Sequence, residues 1–348
     1  MAPTPHIAAG DAPPVRTFSV ERCPVCSSRA AEPLHRGLRD RVFGVAPGEW
    51  TLVRCPQCGT ARLDPRPADD ALGSLYAQYY THGAPSPNLA PTGVAGVLRA
   101  LRNAHVNARL GYDLRPTRAR GRLLGRALPP FAAIAERSLR SVPLGARLLD
   151  VGCGNGEFVA VAAAGWSAAG IDLDAPAVAA GRAVGIDLAV ETAQGRARRE
   201  PGAFDAVTLS HVVEHVADPI GLLRAAFDLL KPGGRLWLAT PNLEAAGHRH
   251  YGADWIHLDP PRHLVLFAAE GLERALAAAG FLGVRHLRPT PTAARAWAIS
   301  EAIRAGAVPA DAHPVGAPRV RARAVLADLR AQLDRRRADE LLILATRP

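Results

Sequence analysis

The stretch LLDVGCGNGEFV, residues 148–159, decides the fold class. A short apolar run ends at Asp150 and leads into Gly152, Gly154 and Gly156, after which helical sequence begins. This order predicts a site where a ligand lies against the backbone, because glycine has no Cβ and a helix N-terminus offers free N–H groups. Dinucleotide-binding enzymes use a similar glycine turn, so this spacing alone leaves the ligand open.

From residue 146 onward, short apolar runs alternate with helical segments, which is typical of a parallel sheet covered by helices on both faces. The predicted strands are 147–151, 168–171, 188–190, 206–209, 235–239, 283–288 and 341–346. We therefore expect an α/β, doubly wound, seven-stranded Rossmann-like domain over residues 145–348, with an arginine-rich helical insertion at residues 290–338.

Four of the five cysteines form two close pairs, Cys23 with Cys26 in CPVC and Cys55 with Cys58 in CPQCG. Two CxxC turns provide the four thiolates of a tetrahedral zinc site and leave no open position for catalysis. We predict a structural zinc ribbon over residues 20–67. A role of this ribbon in reading nucleic acid is the alternative, since arginines lie nearby.

Residues 68–144 are predicted to form a helical linker or cap. It begins with a helix at residues 69–80, in which Tyr79 and Tyr80 are candidates for contact with a substrate. At helical spacing, a tyrosine face is also typical of a core. A segment rich in proline and glycine at residues 83–93 separates this helix from further arginine-rich helices.

The composition is that of a folded globular protein, with 348 residues, 48% hydrophobic and 21% charged residues. No stretch approaches the roughly 18 apolar residues of a membrane span, and residues 1–20 lack the pattern of a signal peptide. We expect a cytoplasmic protein with no transmembrane segment. The net charge of +10 is compatible with an anionic substrate, a membrane surface or nucleic acid.

The second predicted strand ends in GIDLD, which places Asp172 at the carboxyl edge of the sheet beside the glycine turn. A carboxylate at this position can accept hydrogen bonds from the two hydroxyls of a ribose. Asp174 is the alternative if the register differs by two residues, since alternate residues of a strand point the same way.

Four motifs in order, LLDVGCGNG, GIDLD, FDAVTLSHVVEHVADP and LKPGGRLWLATPN, resemble the class I S-adenosylmethionine-dependent methyltransferases. The resemblance implies that the glycine turn holds the methionine portion of the cofactor and Asp172 its ribose. It implies a cofactor site formed by Asp150, Gly152, Cys153, Gly154, Asn155, Gly156, Asp172, Leu173 and Ser210. For the adenine, the loop after the third strand offers Glu191 or Gln194.

The N-terminal cysteines, RCPQCGTARLDPRPADDALGSLYAQYY and WIHLDPPRHLVLF together resemble zinc-ribbon methyltransferases of polysaccharide and deoxysugar pathways. This likeness implies a small-molecule, sugar-type acceptor, free or linked to a nucleotide. A resemblance of scaffold does not by itself transfer the acceptor.

HVVEH follows the fourth strand, at the edge where the reactive methyl group is expected. Glu214 and His215 are the candidate proton-handling pair, and packing of His215 against the cofactor is the alternative. With His211 they have i, i+3, i+4 spacing, which resembles the metal site of small-RNA and some quinone-ring O-methyltransferases. His257 or His263 would then be a fourth ligand.

Residues 255–263 follow the fifth strand in a loop predicted to overhang the pocket, where Trp255, His257, Arg262 and His263 would contact an acceptor. Arg262 would pair with a phosphate. The alternative is a structural loop that packs on the sheet.

Methylation of RNA or DNA is the second functional hypothesis, and a non-catalytic binding module is the last. Against methylation of a base amine, strand four ends in LSHV, whereas such enzymes need a DPPY or NPPY turn there to hold a flipped base.

Overall fold

The computed structural model describes residues 15–76, 93–110, 115–121, 123, 142–143, 145–289, 292–307 and 317–348. Tyr79 and Tyr80 lie outside the described residues, and so do residues 124–141 of the predicted linker.

The described strands are β1 (Thr17–Phe18), β2 (Glu32–Leu38), β3 (Trp50–Arg54), β4 (Ala61–Leu63), β5 (Arg66–Pro67), β6 (Arg147–Val151), β7 (Ser167–Asp172), β8 (Leu188–Val190), β9 (Phe204–Ser210), β10 (Leu230–Pro241), β11 (Val265–Leu266), β12 (Leu282–His286) and β13 (Glu340–Thr346). The α-helices are α1 (Gly93–Leu110), α2 (Glu157–Ala162), α3 (Ala175–Arg182), α4 (Ala193–Arg199), α5 (Pro219–Leu229), α6 (Ala246–Tyr251), α7 (Ala269–Ala278), α8 (Ala293–Arg304) and α9 (Pro318–Leu333).

The central sheet confirms the predicted fold class. Its seven strands have the order β12-β13-β10-β9-β6-β7-β8, and β13 runs antiparallel to both of its neighbours while the other pairs are parallel. The inner strands are buried on both faces: Leu148, Leu149 and Val207 have no exposed surface. Such continuous apolar runs are expected where helices cover both faces of a parallel sheet.

Local sequence explains where helix α5 begins. Pro219 occupies the first turn of α5, and the Asp218 carboxylate caps it by accepting a hydrogen bond from the Gly221 N–H at 2.8 Å. The helix ends at Leu229, and β10 begins at the next residue with an irregular register between Leu230 and Arg235. Lys231, Pro232 and Gly233, which follow α5, therefore lie within the start of a strand.

The cysteine-bearing segment forms a four-stranded antiparallel sheet with the order β11-β4-β3-β2. Its edge strand β11 comes from the C-terminal part of the chain, where Val265 pairs with Arg62 and Leu266 with Ala61. The predicted ribbon at residues 20–67 is thus completed by a strand from the part of the chain that forms the central sheet.

The predicted helix at residues 69–80 begins in the structure as a 3-10 helix, Asp69–Tyr76. The predicted insertion at residues 290–338 contains α8 and α9, which pack against each other. In the described part of the chain, no helix is both long and apolar enough to cross a membrane.

Arg262 does not have the exposed position that the sequence predicted. Its side chain has no exposed surface, and its guanidinium forms ion pairs with two buried carboxylates. Asp40 in the cysteine-bearing segment accepts from Nη1 and Nη2 at 3.0 and 2.7 Å, and Asp259 accepts from Nε at 3.0 Å. Since every charge here is already paired, this arginine links two parts of the chain and is closed to a substrate phosphate.

We expect Arg262→Met to lower the free energy of unfolding by about 3–5 kcal/mol, because it leaves two buried carboxylates without a cation. Arg39→Met is the matched control, since the pair of Arg39 with Glu49 is more than half exposed and is worth at most about 1 kcal/mol. Chemical denaturation of both variants measures the difference, and equal values would contradict this account of the buried ion pairs.

Candidate active site

The glycine turn lies between β6 and α2, at the carboxyl edge of the central sheet. Gly152, Gly154 and Gly156 all have the left-handed backbone conformation, with φ of 73°, 54° and 81°. A Cβ built on Gly152 would lie 2.4 Å from Cγ2 of Val212. Glycine is therefore required at this position both by its φ and by the close approach of the segment that follows β9.

Asp172 ends β7 and faces this turn. Its carboxylate accepts hydrogen bonds from the Gly154 N–H at 2.7 Å and from the Asp174 N–H at 2.9 Å. Asp174 instead caps α3 by accepting from the Ala177 N–H at 3.1 Å, which makes Asp172 the acid nearer to the turn. The next side chain, Leu173, is 69% exposed and offers an apolar surface beside that carboxylate.

The remaining predicted cofactor residues line or support the same edge. Asp150 is buried, and the Thr208 hydroxyl donates a hydrogen bond of 2.6 Å to its carboxylate. Asn155 lies within the turn and Ser210 ends β9. Cys153 packs in a small apolar cluster, and burial raises the pKa of its thiol, so it remains protonated as expected of a packing residue.

The glycine turn, the Asp172 carboxylate and the exposed Leu173 side chain together fit an adenosyl group. Backbone N–H groups and a carboxylate meet at one sheet edge, which provides partners for polar ligand atoms and for ribose hydroxyls. The apolar Leu173 surface suits a flat base.

Glu214 forms the buried base of the neighbouring cluster. It has no exposed surface, and its two carboxylate oxygens lie 3.1 Å from Nδ1 of His211 and 3.0 Å from the Thr240 hydroxyl. Burial alone would raise the pKa of Glu214, but hydrogen bonding and charge from His211 outweigh it and hold the pKa at about 2. The carboxylate is therefore ionised.

His211 lies between two carboxylates. Its Nε2 is 3.4 Å from an oxygen of Glu340 in β13, opposite the contact of its Nδ1 with Glu214. Burial disfavours the imidazolium, but the hydrogen bonds and charges of Glu214 and Glu340 outweigh it and raise the pKa of His211 to about 10. This residue thus acts as a fixed cation next to Glu214, with a φ of 55°.

His215 and His263 lie edge to face, with ring centroids 4.6 Å apart. Nδ1 of His263 donates to the carbonyl of His257 at 2.7 Å, while Nδ1 of His215 lies 3.1 Å from the carbonyl of Arg262 and 2.8 Å from the Tyr76 hydroxyl. Burial lowers the pKa of His263 to about 4, so its ring is neutral.

His257 and Trp255 pack next to this cluster, where the His257 ring contacts both His211 and Trp255. Trp255 is 1% exposed, which contradicts the predicted exposed lid. The ring of His257 stacks on that of His211 at 6.5 Å, and burial lowers its pKa to about 4. The loop at residues 255–263 therefore packs on the sheet. Of the four residues in it that were predicted to contact an acceptor, His263 is the one that the structure groups with Glu214 and His215.

The structure groups three of the predicted metal ligands and leaves His211 out of the group. Glu214, His215 and His263 each bring one ligand atom within 4.8 Å of the others. Val213–His215 is a single 3-10 turn, so His211 does not share a helical face with Glu214 and His215, and its two ring nitrogens contact Glu214 and Glu340.

The four cysteines of the ribbon form a second cluster, in which all four sulfurs lie within 4.8 Å of one another. The Sγ atoms of Cys23 and Cys58 are 3.5 Å apart, as are those of Cys26 and Cys55. Four thiolates at about 2.3 Å from one zinc ion would be about 3.8 Å apart, so this donor set fits structural zinc. No cysteine among them forms a disulfide.

Sequence comparison identifies the domain. The profile of a family described as "Methyltransferase domain" matches residues 117–286, which include the glycine turn, Asp172 and the Glu214 cluster. Residues 117–286 of this chain are a methyltransferase domain. The predicted family is confirmed.

Curated relatives extend this match over part of their length. The chain is 44% identical over 105 residues to the ubiquinone biosynthesis O-methyltransferase of Xanthomonas campestris pv. campestris, and this match covers 28% of this chain and 44% of that protein. The enzyme of the same name from Xanthomonas axonopodis pv. citri is 42% identical over 112 residues, 30% of this chain and 47% of that protein. The chain thus spans less than half of the length of these relatives.

Solved structures of methyltransferases are also similar. A SAM-dependent methyltransferase from Thermotoga maritima has a TM-score of 0.41 and 18% identity, covering 66% of this chain and 94% of that one. Phosphoethanolamine N-methyltransferase 2 of Haemonchus contortus, solved with S-adenosyl-L-methionine, has a TM-score of 0.43 and 17% identity, covering 83% and 63%.

Three partners at the site were missed by sequence reasoning. Thr240 gave the clearest signal, since it lies in the LWLATPN motif near the end of β10. Thr208 alternates with apolar residues in β9 and gave little signal. Glu340 is far from His211 in sequence, and no local pattern connects them.

Proposed function

We propose that this protein transfers the methyl group of S-adenosylmethionine to a sugar-type small molecule, free or linked to a nucleotide. One observation carries the proposal: the glycine turn and the Glu214 cluster abut at one sheet edge. Val212, two residues before Glu214, reaches the backbone of Gly152. A cofactor held by the turn would therefore have its reactive end beside acid-base side chains.

We propose that Asp172 binds the ribose hydroxyls, that Leu173 packs on the adenine, and that residues 150–156 and Ser210 surround the methionine portion. The cofactor supplies an activated methyl group on a sulfonium. The chain must then align the acceptor with that group, exclude water and remove a proton from an acceptor hydroxyl.

His215 is our candidate for removing that proton. When Nδ1–H donates to the carbonyl of Arg262, Nε2 carries the free lone pair that can accept the proton. The buried carboxylate of Glu214 lies in the same cluster and favours the resulting positive charge. His211 acts through Glu214, because it neutralises and orients this carboxylate from the other side.

Two similarities support the proposed acceptor, and one of them, the name of the curated relatives, points to oxygen as the methylated atom. The ribbon and the DPPRHL loop resemble methyltransferases of sugar pathways, and the curated relatives are named ubiquinone biosynthesis O-methyltransferases. A hydroxyl on a small molecule is common to both. A phenolic hydroxyl is the alternative to a sugar hydroxyl.

A metal-assisted reaction is the second candidate. Glu214, His215 and His263 provide one oxygen and two imidazole ligands, a set that suits a divalent transition metal. The hydrogen bond from His263 to a backbone carbonyl fixes its ring in the way typical of metal-ligating histidines. An ion there would bind the acceptor oxygen, whether the acceptor is a small molecule or an RNA ribose.

We also propose that residues 20–67 are a structural zinc ribbon, residues 68–144 a helical linker, and residues 145–348 the catalytic unit. The four reduced cysteines agree with a reducing compartment such as the cytoplasm. The ribbon would hold the loop of residues 259–263 in place through Asp40 and β11.

We expect Asp172→Asn to weaken binding of S-adenosylmethionine at least tenfold, because one carboxylate oxygen is lost to the ribose and the turn. Asp174→Asn is the matched control, since asparagine still caps α3. Isothermal titration calorimetry measures both affinities. If the two variants bind equally well, Asp172 is not the ribose ligand.

We expect about one zinc ion per chain in protein purified without added zinc, measured by elemental analysis. Cys55→Ser should lose the metal and much of the stability, because an incomplete thiolate set binds zinc weakly. Cys153→Ser, outside the cluster, should keep the metal. A metal-free wild-type protein of full stability would rule out the zinc ribbon.

Activity assays with labelled cofactor test the acceptor class and the acid-base residues together. We expect transfer to nucleotide-linked sugars and none to a catechol or an RNA.

His215→Asn and Glu214→Gln should lower kcat at least a hundredfold with little effect on the affinity for the cofactor. His286→Asn is a control, because His286 pairs with Glu273 away from the cluster.

Each other outcome has a distinct meaning. Methylation of the catechol alone replaces the sugar-type acceptor by a phenol, and methylation of RNA replaces it by a nucleic acid. Normal turnover in both variants leaves Glu214 and His215 as packing residues. Activity that is lost with a chelator and restored by a divalent ion, with zinc retained in the ribbon, favours the metal-assisted reaction.

A further inference from the structure

Helix α9 has an apolar stripe on the side that faces away from the protein. Ala324 and Ala331 are buried on its inner side. The outer side exposes four large apolar side chains: Val325 at 51%, Leu326 at 47%, Leu329 at 59% and Leu333 at 90%. At 100° per residue these four project within one sector of the helix, which we call the α9 stripe.

Arginines border the α9 stripe on both sides. By helical spacing Arg319 and Arg330 lie along one edge of the stripe and Arg321 along the other, and all three are exposed. Within the residues that the structure describes, none of these three forms an ion pair with a carboxylate. Asp328 is the only acid of α9, and it points inward to accept from the Ala293 N–H. The arginines that border the α9 stripe therefore carry positive charge that no carboxylate of the described residues neutralises through an ion pair.

We propose that the α9 stripe docks on an anionic lipid surface, with the helix axis in the plane of that surface. Exposed apolar side chains with arginines on both sides are the pattern of interfacial helices, where the apolar face enters the headgroup region and the arginines contact anionic lipids. A second copy of this chain is a poorer occupant, because a two-fold contact through the stripe would bring arginine borders of like charge together.

This proposal rests on residues that take no part in the proposed methyl transfer. None of the α9 stripe residues belongs to the glycine turn, the Glu214 cluster or the cysteine cluster. Failure of one proposal therefore leaves the other untouched.

Co-sedimentation of the full chain with vesicles tests the docking. We expect binding to phosphatidylcholine vesicles that contain phosphatidylglycerol, weak binding to phosphatidylcholine alone, and a loss of binding as salt rises. Leu326→Ser/Leu329→Ser should weaken the partition at least tenfold. The matched control Val184→Ser/Leu282→Ser, at two other exposed apolar positions, should leave it unchanged.

The charge component has its own pair of variants. Arg319→Gln/Arg330→Gln should weaken binding to anionic vesicles at least fivefold, whereas Arg198→Gln/Arg224→Gln, exposed arginines on α4 and α5, should not. Thermal denaturation and titration with S-adenosylmethionine verify that each variant is folded.

Three results would overturn the proposal: no binding of the wild type to anionic vesicles, equal binding to both kinds of vesicle, or equal losses in the α9 variants and their controls. Light scattering measures whether a second copy of this chain binds to the stripe instead. A stable dimer that Leu326→Ser/Leu329→Ser dissociates would assign the stripe to a second copy of this chain.

Discussion

The fully buried guanidinium of Arg262 is the interaction on which the candidate active site depends. It pairs with Asp40 from the cysteine-bearing segment and with Asp259 from its own turn, so two distant parts of the chain are joined at one point. Such a group is stable only when every charge is compensated, and here a planar cation meets two carboxylates. The loop that carries His263 is fixed as a consequence.

The same arginine reaches the reactive cluster through its backbone. Its carbonyl lies 3.1 Å from Nδ1 of His215, and the adjacent His263 donates to the carbonyl of His257. The ring orientations of both histidines are therefore set by a loop that the ribbon holds in place. The cysteine-bearing segment can in this way determine the geometry of the sheet edge at Glu214, since β11 also joins its sheet.

Charged and neutral side chains lie next to each other at the sheet edge that carries Glu214. The His211 cation lies between Glu214 and Glu340, the Glu214 carboxylate remains ionised, and burial keeps His257 and His263 neutral. The arrangement places one buried negative charge next to neutral imidazoles. A group that receives a proton beside Glu214 is stabilised, which is what removal of a proton from an acceptor requires.

Local sequence determined the parts of this protein whose physical cause is local. Alternating apolar and helical segments predicted all seven strands of the central sheet. The glycine spacing and the GIDLD motif predicted that Asp172 lies beside the glycine turn. Both predictions succeed because strand ends and positive φ values depend on neighbouring residues. The CxxC pairs likewise predicted a cluster of four sulfurs.

Tertiary structure alone decided the rest. Arg262 is a buried partner of Asp40, and His211 is a partner of Glu340 as well as of Glu214. The sequence could not predict the contacts with Asp40 and Glu340, because both residues lie far away along the chain. Helical spacing also misplaced the HVVEH histidines, since a single 3-10 turn after a residue with positive φ does not present i, i+3 and i+4 on one face. Burial and long-range charge pairing are properties of the folded chain, and no short motif contains them.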